Sequence, residues 1–217
     1  MTDHDDHFYE TWNTWFDQLD TETINLVIQR QMYGELGQIV NSNSSLQQPN
    51  HFLYWLSVWY SSAMAVAVRK LVDPRKDIIS YRRLLEEIRD NPTIISRTRF
   101  RRNVVEANYD EGLADLDYDS YVGAGREHLD PADVQAELDE LANKTTKLKT
   151  FVNKRIAHHD EKEFDAIPKY RDLDESIDFL LVIHKKYFQI LRCLGYDSLL
   201  PPLGDWKSVF RYPWLNG

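Results

Sequence analysis

The chain has 217 residues, with 26 Lys and Arg against 35 Asp and Glu, a formal net charge of −9, and it is 42% hydrophobic and 12% aromatic. So much apolar side chain excludes a disordered protein, and the acidic balance argues against a general nucleic-acid coat, which rests on neutralising phosphates. The single cysteine, Cys193, excludes an internal disulfide and a cysteine zinc site; in its mostly apolar surroundings it reads as a buried small hydrophobe. The first residues, Met1 to His7, are acidic and lack a basic region followed by an apolar stretch, so no signal peptide is expected. No window approaches the roughly 18 to 20 apolar residues needed to span a bilayer. These features predict a soluble, cytoplasmic, single-domain protein over residues 1–217.

Phe8, Trp12, Trp15, Phe16 and Leu19 recur at spacings of three and four, the mark of a short amphipathic helix with an aromatic stripe. Thr21 or Thr23 is placed to cap a second helix, so two helices are expected over 8–40, with Gly34 and Gly37 hinting at close helix contact. A polar loop ends near Asn50. The segment from Phe52 to Leu71 is apolar almost all round, which predicts a central helix contacted on several sides and stopped by Pro74, with Trp55, Trp59 and Tyr60 in the core rather than stacking on bases. Ser80 caps a shorter helix carrying Leu84, Leu85 and Ile88, which Pro92 ends.

From Arg75 to Arg102 there are nine basic residues against four acidic ones, and the stretch after it, through Asp110, Glu111, Asp115, Asp117 and Asp119, is acidic. Two readings stand: adjacent patches that neutralise one another, or an RNA-binding surface that includes Arg97, Arg99, Arg101 and Arg102. Residues 97–103 read as a loop or a ragged helix, and 109–126, with its glycines and acids, as a long excursion with little regular structure. Asp130-Pro131-Ala132-Asp133 is a strong helix start. The helix it opens carries Val134, Leu138, Leu141, Thr145, Leu148 and Val152 on one face. A last amphipathic helix over 172–195 stops at Gly195, and the aromatic tail over 196–217 is expected to lie extended against the helices. The fold class is all-α: a bundle of about five to six helices with a long acidic loop, the span 51–160 holding the central bundle and the motif helix.

Chemistry concentrates where that helix runs out, at Phe151-Val152-Asn153-Lys154-Arg155-Ile156-Ala157-His158-His159-Asp160. The helical wheel keeps His159 near the apolar face and sets His158 on the flank. Histidine exchanges a proton near neutral pH, and a neighbouring cation or amide can stabilise a pentavalent phosphate. The competing reading is helix capping, since His and Arg near a C-terminus satisfy free carbonyls. His184 on the last helix reads as a core histidine, and His4 and His7 as part of a solvated end. No glycine-rich phosphate loop, nucleophile elbow or His-Glu-x-x-His helix is present.

Asn153-Lys154-Arg155-Ile156-Ala157-His158-His159-Asp160 resembles the motif region of the HEPN superfamily, the all-helical proteins of toxin-antitoxin, abortive-infection and other RNA-targeting systems. Two further stretches, Val68-Arg69-Lys70-Leu71-Val72-Asp73 and Ile79-Ser80-Tyr81-Arg82-Arg83-Leu84-Leu85, resemble the central and following helices of its AbiU-like abortive-infection branch. The resemblance implies a bacterial defence or toxin-antitoxin type protein and a homodimer whose motif helices share an RNA-cleaving groove. In that reading the protein is a metal-independent endoribonuclease, with no cofactor and no membrane, in which His158 is the general acid or base, Asn153 orients phosphate or ribose, and Arg155 or Lys154 stabilises charge. Lys154, His159, Arg97, Arg99, Arg101 and Arg102 would contact RNA. The superfamily pattern places an arginine ahead of the histidine with four to six residues between them, usually followed by a polar residue, the place Asn153 takes here. Counting back from His158 reaches Val152 instead, and Arg155 is too near either histidine. The alternative is a non-catalytic helical module that binds RNA, an antitoxin or another partner protein.

Overall fold

A computed structural model describes residues 3–48, 50–156 and 168–212. Helix α1 runs unbroken over Asp3–Asn41, about 58 Å long at 1.5 Å per residue. The two helices expected over 8–40 are therefore one. Thr21 and Thr23 do not cap a new helix: their hydroxyls donate back to the carbonyls of Asp17 and Leu19, at 3.0 and 2.6 Å, four residues earlier in the same helix. Trp12, Phe16, Leu19, Thr23 and Leu26 are buried along one side. Among the described residues a Cβ placed on Gly34 or Gly37 would meet nothing within 4 Å, so the close helix contact expected there is not found among them.

After a 3-10 turn, Ser44–Leu46, helix α2 spans His51–Leu71. Asn50 caps it, its Oδ1 accepting from the amides of Phe52 (2.8 Å) and Leu53 (3.4 Å). Only its second half is enclosed: Tyr60, Met64, Ala65, Val68 and Leu71 are buried, whereas Phe52, Tyr54, Trp55, Val58 and Trp59 are exposed. The expectation that Trp55 and Trp59 lie in the core is overturned, because both are more than half exposed on the face of α2 turned away from its neighbours; Tyr60 alone of the three turns inward. Helix α3, Tyr81–Asp90, starts at Ser80, whose Oγ accepts from the amide of Arg83 at 3.2 Å.

The segment expected to be irregular forms two helices, α4 over Arg97–Glu106 and α5 over Glu111–Val122, which pack on each other. Arg97 is the clasp: it donates to Asp115 at 3.1 Å and also to Asp119, and its guanidinium sits 4.9 Å over the Tyr118 ring. The acids that read as a loop are thus the partners of arginines on the preceding helix. Helix α6, Pro131–Phe151, begins as predicted, with Asp130 accepting from the amide of Ala132 at 2.9 Å. It packs on α2, α3 and α7 and buries Val134, Leu138, Leu141, Thr145 and Leu148, each large apolar side chain worth about 1.5–3 kcal/mol of transfer free energy.

Helix α7, Tyr170–Arg192, ends at Cys193 rather than Gly195, with that cysteine in the left-handed region at φ 54°. Cys193 packs partly buried against the core, and burial raises its thiol pKa to about 12. His184 lies fully inside, as its apolar surroundings predict, stacked on Phe16 with Nδ1 2.7 Å from the Tyr81 hydroxyl. The tail is not simply extended: Trp206–Arg211 forms a 3-10 helix, and Trp206 Nε1 donates to Glu35 of α1 at 3.0 Å. Among the described residues no element is a strand, only an isolated bridge between Ser96 and His128, and no helix is long and apolar enough to cross a membrane. The protein is an all-α bundle.

Candidate functional site

At Val152 the chain leaves the α-helical path of α6 and forms a π-helical turn, Val152–Ile156, which packs on α6 and α2. Such turns bond i to i+5 and take more residues per revolution than an α turn. A helical wheel drawn through α6 therefore loses its phase beyond Val152. His158, His159 and Asp160 lie outside the described residues, and of Arg155 only the backbone is described.

Val152 is 4% exposed and completes the apolar stripe of α6. The position that the family pattern gives to arginine is a core position in this chain. One residue on, Asn153 is half-buried, and its Oδ1 accepts a 2.7 Å hydrogen bond from Nε of Arg69, on α2. Because a guanidinium only donates, this bond fixes the amide with its oxygen toward Arg69 and its NH2 group turned away. Lys154, also half-buried, follows on the same turn.

Arg69 is held from a second side, since its Nη1 donates to Asp73 Oδ2 at 3.3 Å, one helical turn later. Asp73 is the anchor of this corner. Its side chain is only 3% exposed, and Arg75 closes on it with Nε at 3.0 Å, Nη2 at 3.1 Å and its own backbone amide at 3.0 Å. Burial by itself would raise the Asp73 carboxyl pKa; the hydrogen bonds from Arg75 and the charges of Arg75 and Arg69 outweigh it and hold the group below its usual value. The carbonyl of Asp73 also accepts from Ser80 Oγ at 2.8 Å, so the cap of α3 and the anchor of Arg69 are one structure. A carboxylate that orients two arginines, one of them onto the motif asparagine, is a construction that spacing along α6 could not reveal. Its signal was the Arg69–Asp73 pair at i, i+4 within a stretch already singled out by resemblance.

The arginines of α4 stand elsewhere. That helix packs mainly on α5 and α7, and the π-helical turn on α6 and α2. Arg97 is 9% exposed and Arg99 3%. Arg99 lies with Nη1 2.8 Å from Asp6 and its guanidinium 4.7 Å over the Tyr9 ring, and its Nε and Nη2 are buried with no hydrogen-bond partner among the described residues. Arg101 donates through Nε to Asp115 at 2.8 Å, and Arg102 Nε is 3.8 Å from Glu106. Hydrogen bonds from Arg101 and Arg97 lower the Asp115 carboxyl pKa. The geometry is that of opposed patches neutralising one another. It does not bring Arg97, Arg99, Arg101 and Arg102 to the motif turn.

No curated protein and no solved structure matches the chain. The model of the HEPN-type AbiU2 family does, over residues 9–207, which takes in all seven described α-helices except the first six residues of α1. With the all-α bundle and that match over most of its length, the chain belongs to the AbiU2 family of HEPN proteins, a family of abortive-infection type.

Proposed function

We propose that this protein acts in a bacterial defence or toxin-antitoxin type system as a metal-independent endoribonuclease. The observation that carries the reading is the built corner at the motif turn, where Asn153 is half-buried and oriented by a guanidinium from the adjacent helix. Such a corner suits cleavage through the ribose. The 2′-hydroxyl loses its proton to His158, its oxygen bonds to phosphorus, the bond to the 5′-oxygen breaks, and that oxygen takes a proton from water, whose hydroxide is neutralised by the proton on His158, leaving a 2′,3′-cyclic phosphate and a 5′-hydroxyl. Asn153 orients the phosphate or ribose through its NH2 group, Lys154 and Arg155 offer charge, and His159 contacts the strand. Arg97 and Arg101, by contrast, are engaged by carboxylates of α5, Arg99 by Asp6 of α1 and Arg102 by Glu106 of its own helix, and RNA contact falls to the motif turn.

Incubation of the purified protein and its His158→Ala variant with total RNA and a chelator tests this. Cleavage by the wild type, reduced at least a hundredfold in the variant, is expected. No cleavage at high protein concentration would sink the enzyme reading, and equal cleavage by both would remove His158 from it.

A second reading, a non-catalytic module that binds RNA or a partner protein such as an antitoxin, is favoured by the exposed end of α2. Phe52, Tyr54, Trp55, Val58 and Trp59 form an apolar face larger than scattered surface residues need. No charged residue occurs from Phe52 to Val68, so two copies of this face meet without like-charge repulsion despite the net charge of −9. The two readings meet in a homodimer joined there. Light scattering at micromolar concentration is expected to give a dimer, and Trp55→Ser with Trp59→Ser a folded monomer; a monomeric wild type contradicts the pairing.

A further inference from the structure

We infer that Arg69, reaching across from α2, is the cation that the motif helix lacks, and that with Asn153 it forms a notch for one phosphodiester of an RNA strand. The catalytic half of this inference rests on the ribonuclease reading; the binding half does not.

Three features separate Arg69 from a simple structural link. First, it is fixed at two points, Nε on Asn153 Oδ1 at 2.7 Å and Nη1 on Asp73 Oδ2 at 3.3 Å, while among the described residues no partner is bonded to Nη2. A guanidinium carries five donors in a rigid fork, so holding two edges aims the remaining one. Its side chain is 32% exposed, enough for a phosphate oxygen to reach it.

Second, the charge of Arg69 is only shared. Asp73 closes its shorter, two-pronged pair with Arg75, at 3.0 and 3.1 Å, and gives Arg69 a single longer contact. One carboxylate between two arginines leaves positive charge at the corner, and Asp73 is too buried to be drawn away by solvent. Asp77 adds to the field on Arg75. Neighbouring Lys70 is turned elsewhere, its Nζ 2.5 Å from Glu22.

Third, the notch presents complementary groups. The Asn153 amide spends its oxygen on Arg69, so its NH2 group and the rest of the guanidinium are two donor groups joined by one bond, each able to meet an oxygen of a phosphate. A charge stabiliser is defined by where its charge sits and not by the helix that carries it. With Val152 turned into the core, an arginine in the neighbouring helix that bonds the next residue of the motif meets that definition. Asp73 is then a positioning residue, acting through Arg69.

The test uses the full chain and a fluorescent single-stranded RNA oligomer with 2′-O-methyl riboses, which cannot be cleaved through the 2′-oxygen. Anisotropy titrations are run with a chelator over a series of salt concentrations. Arg69→Gln is expected to weaken binding at least tenfold and to lower the salt slope by about one phosphate contact. Arg75→Gln is expected to weaken it no more than about threefold. Should Arg69→Gln lower the melting temperature, Arg69→Lys keeps the charge and is expected to keep the salt slope. Binding unchanged in Arg69→Gln, a loss as large in Arg75→Gln, a reduced slope in Arg69→Lys, or no binding by the wild type would each overturn the notch.

Cleavage of unmodified RNA separates this inference from the reading beneath it. Wild-type cleavage abolished in Arg69→Gln supports both. Arg69-dependent binding without any wild-type cleavage removes the nuclease and leaves the notch. Wild-type cleavage undiminished in Arg69→Gln leaves the nuclease and overturns the role of Arg69.

Discussion

Two groups of arginines sit in this bundle, and they are used in opposite ways. On α4, Arg97 and Arg99 are almost fully buried and lie against carboxylates and aromatic rings of α5 and α1. At the end of α2, Arg69 and Arg75 share one buried carboxylate, and both keep part of their surface in solvent. The first group is denser in sequence and drew attention as an RNA-binding surface; the second is sparse and sits beside the motif. Pairing and burial, not local density of positive charge, decide which arginines can meet a polyanion.

The comparison can be broken by measurement, and the largest effect belongs to neither group but to the core that holds them apart. Burial depresses the His184 pKa to about 4, and Asp20 Oδ1 lies 3.2 Å from Nε2. A base whose folded pKa lies below its unfolded value near 6.5 favours the folded state above that value and loses its contribution as pH falls toward 4. The loss is about 3 kcal/mol. Burial raises the Asp20 carboxyl pKa, so that group works in the opposite sense above its usual value. Urea unfolding at pH 7 and pH 4.5 should show the fall, and a His184→Phe variant should flatten it. An unchanged midpoint in the wild type would place charge, not neutrality, on the buried imidazole.

Next in size is Arg97→Ala, which removes the clasp to Asp115, Asp119 and the carbonyl of Arg126. A fall in melting temperature on the order of 5 °C is expected, with RNA affinity unchanged while the chain is folded. Arg69→Gln should do the reverse, holding the melting temperature within about 2 °C while RNA affinity falls. Exchange of the two outcomes would break the comparison. Arg101→Ala and Arg102→Ala are the smallest: exposed pairs contribute little, and shifts within about 1 °C are expected in a thermal melt.

Much of the scaffold was legible because its signals are local. Asp130-Pro131 starts α6, Ser80 starts α3, and the three-four spacing of α6 names its buried residues in advance. What escaped depends on partners far along the chain. Residues 109–126 looked irregular because glycines and acids dominate them, yet Asp115 and Asp119 find Arg97 at 18 and 22 residues' separation and the segment folds as α5. Thr21 and Thr23 looked like caps because a hydroxyl can serve either purpose; inside α1 they bond backward. Trp55 and Trp59 looked buried because composition does not say which end of an apolar helix the neighbours cover. At the candidate site the sequence named Asn153 and exposed the odd valine before it. The guanidinium that bonds that asparagine lies 84 residues away and could be found only in three dimensions.

A double-mutant cycle between Arg69 and Asn153 tests this most directly, with binding of the 2′-O-methyl RNA as the readout. If the two side chains form one phosphate notch, Arg69→Gln should cost at least tenfold in affinity and Asn153→Ala in the Arg69→Gln background less than about twofold more. Losses that multiply independently, or none on either substitution, would contradict a shared site at the motif turn.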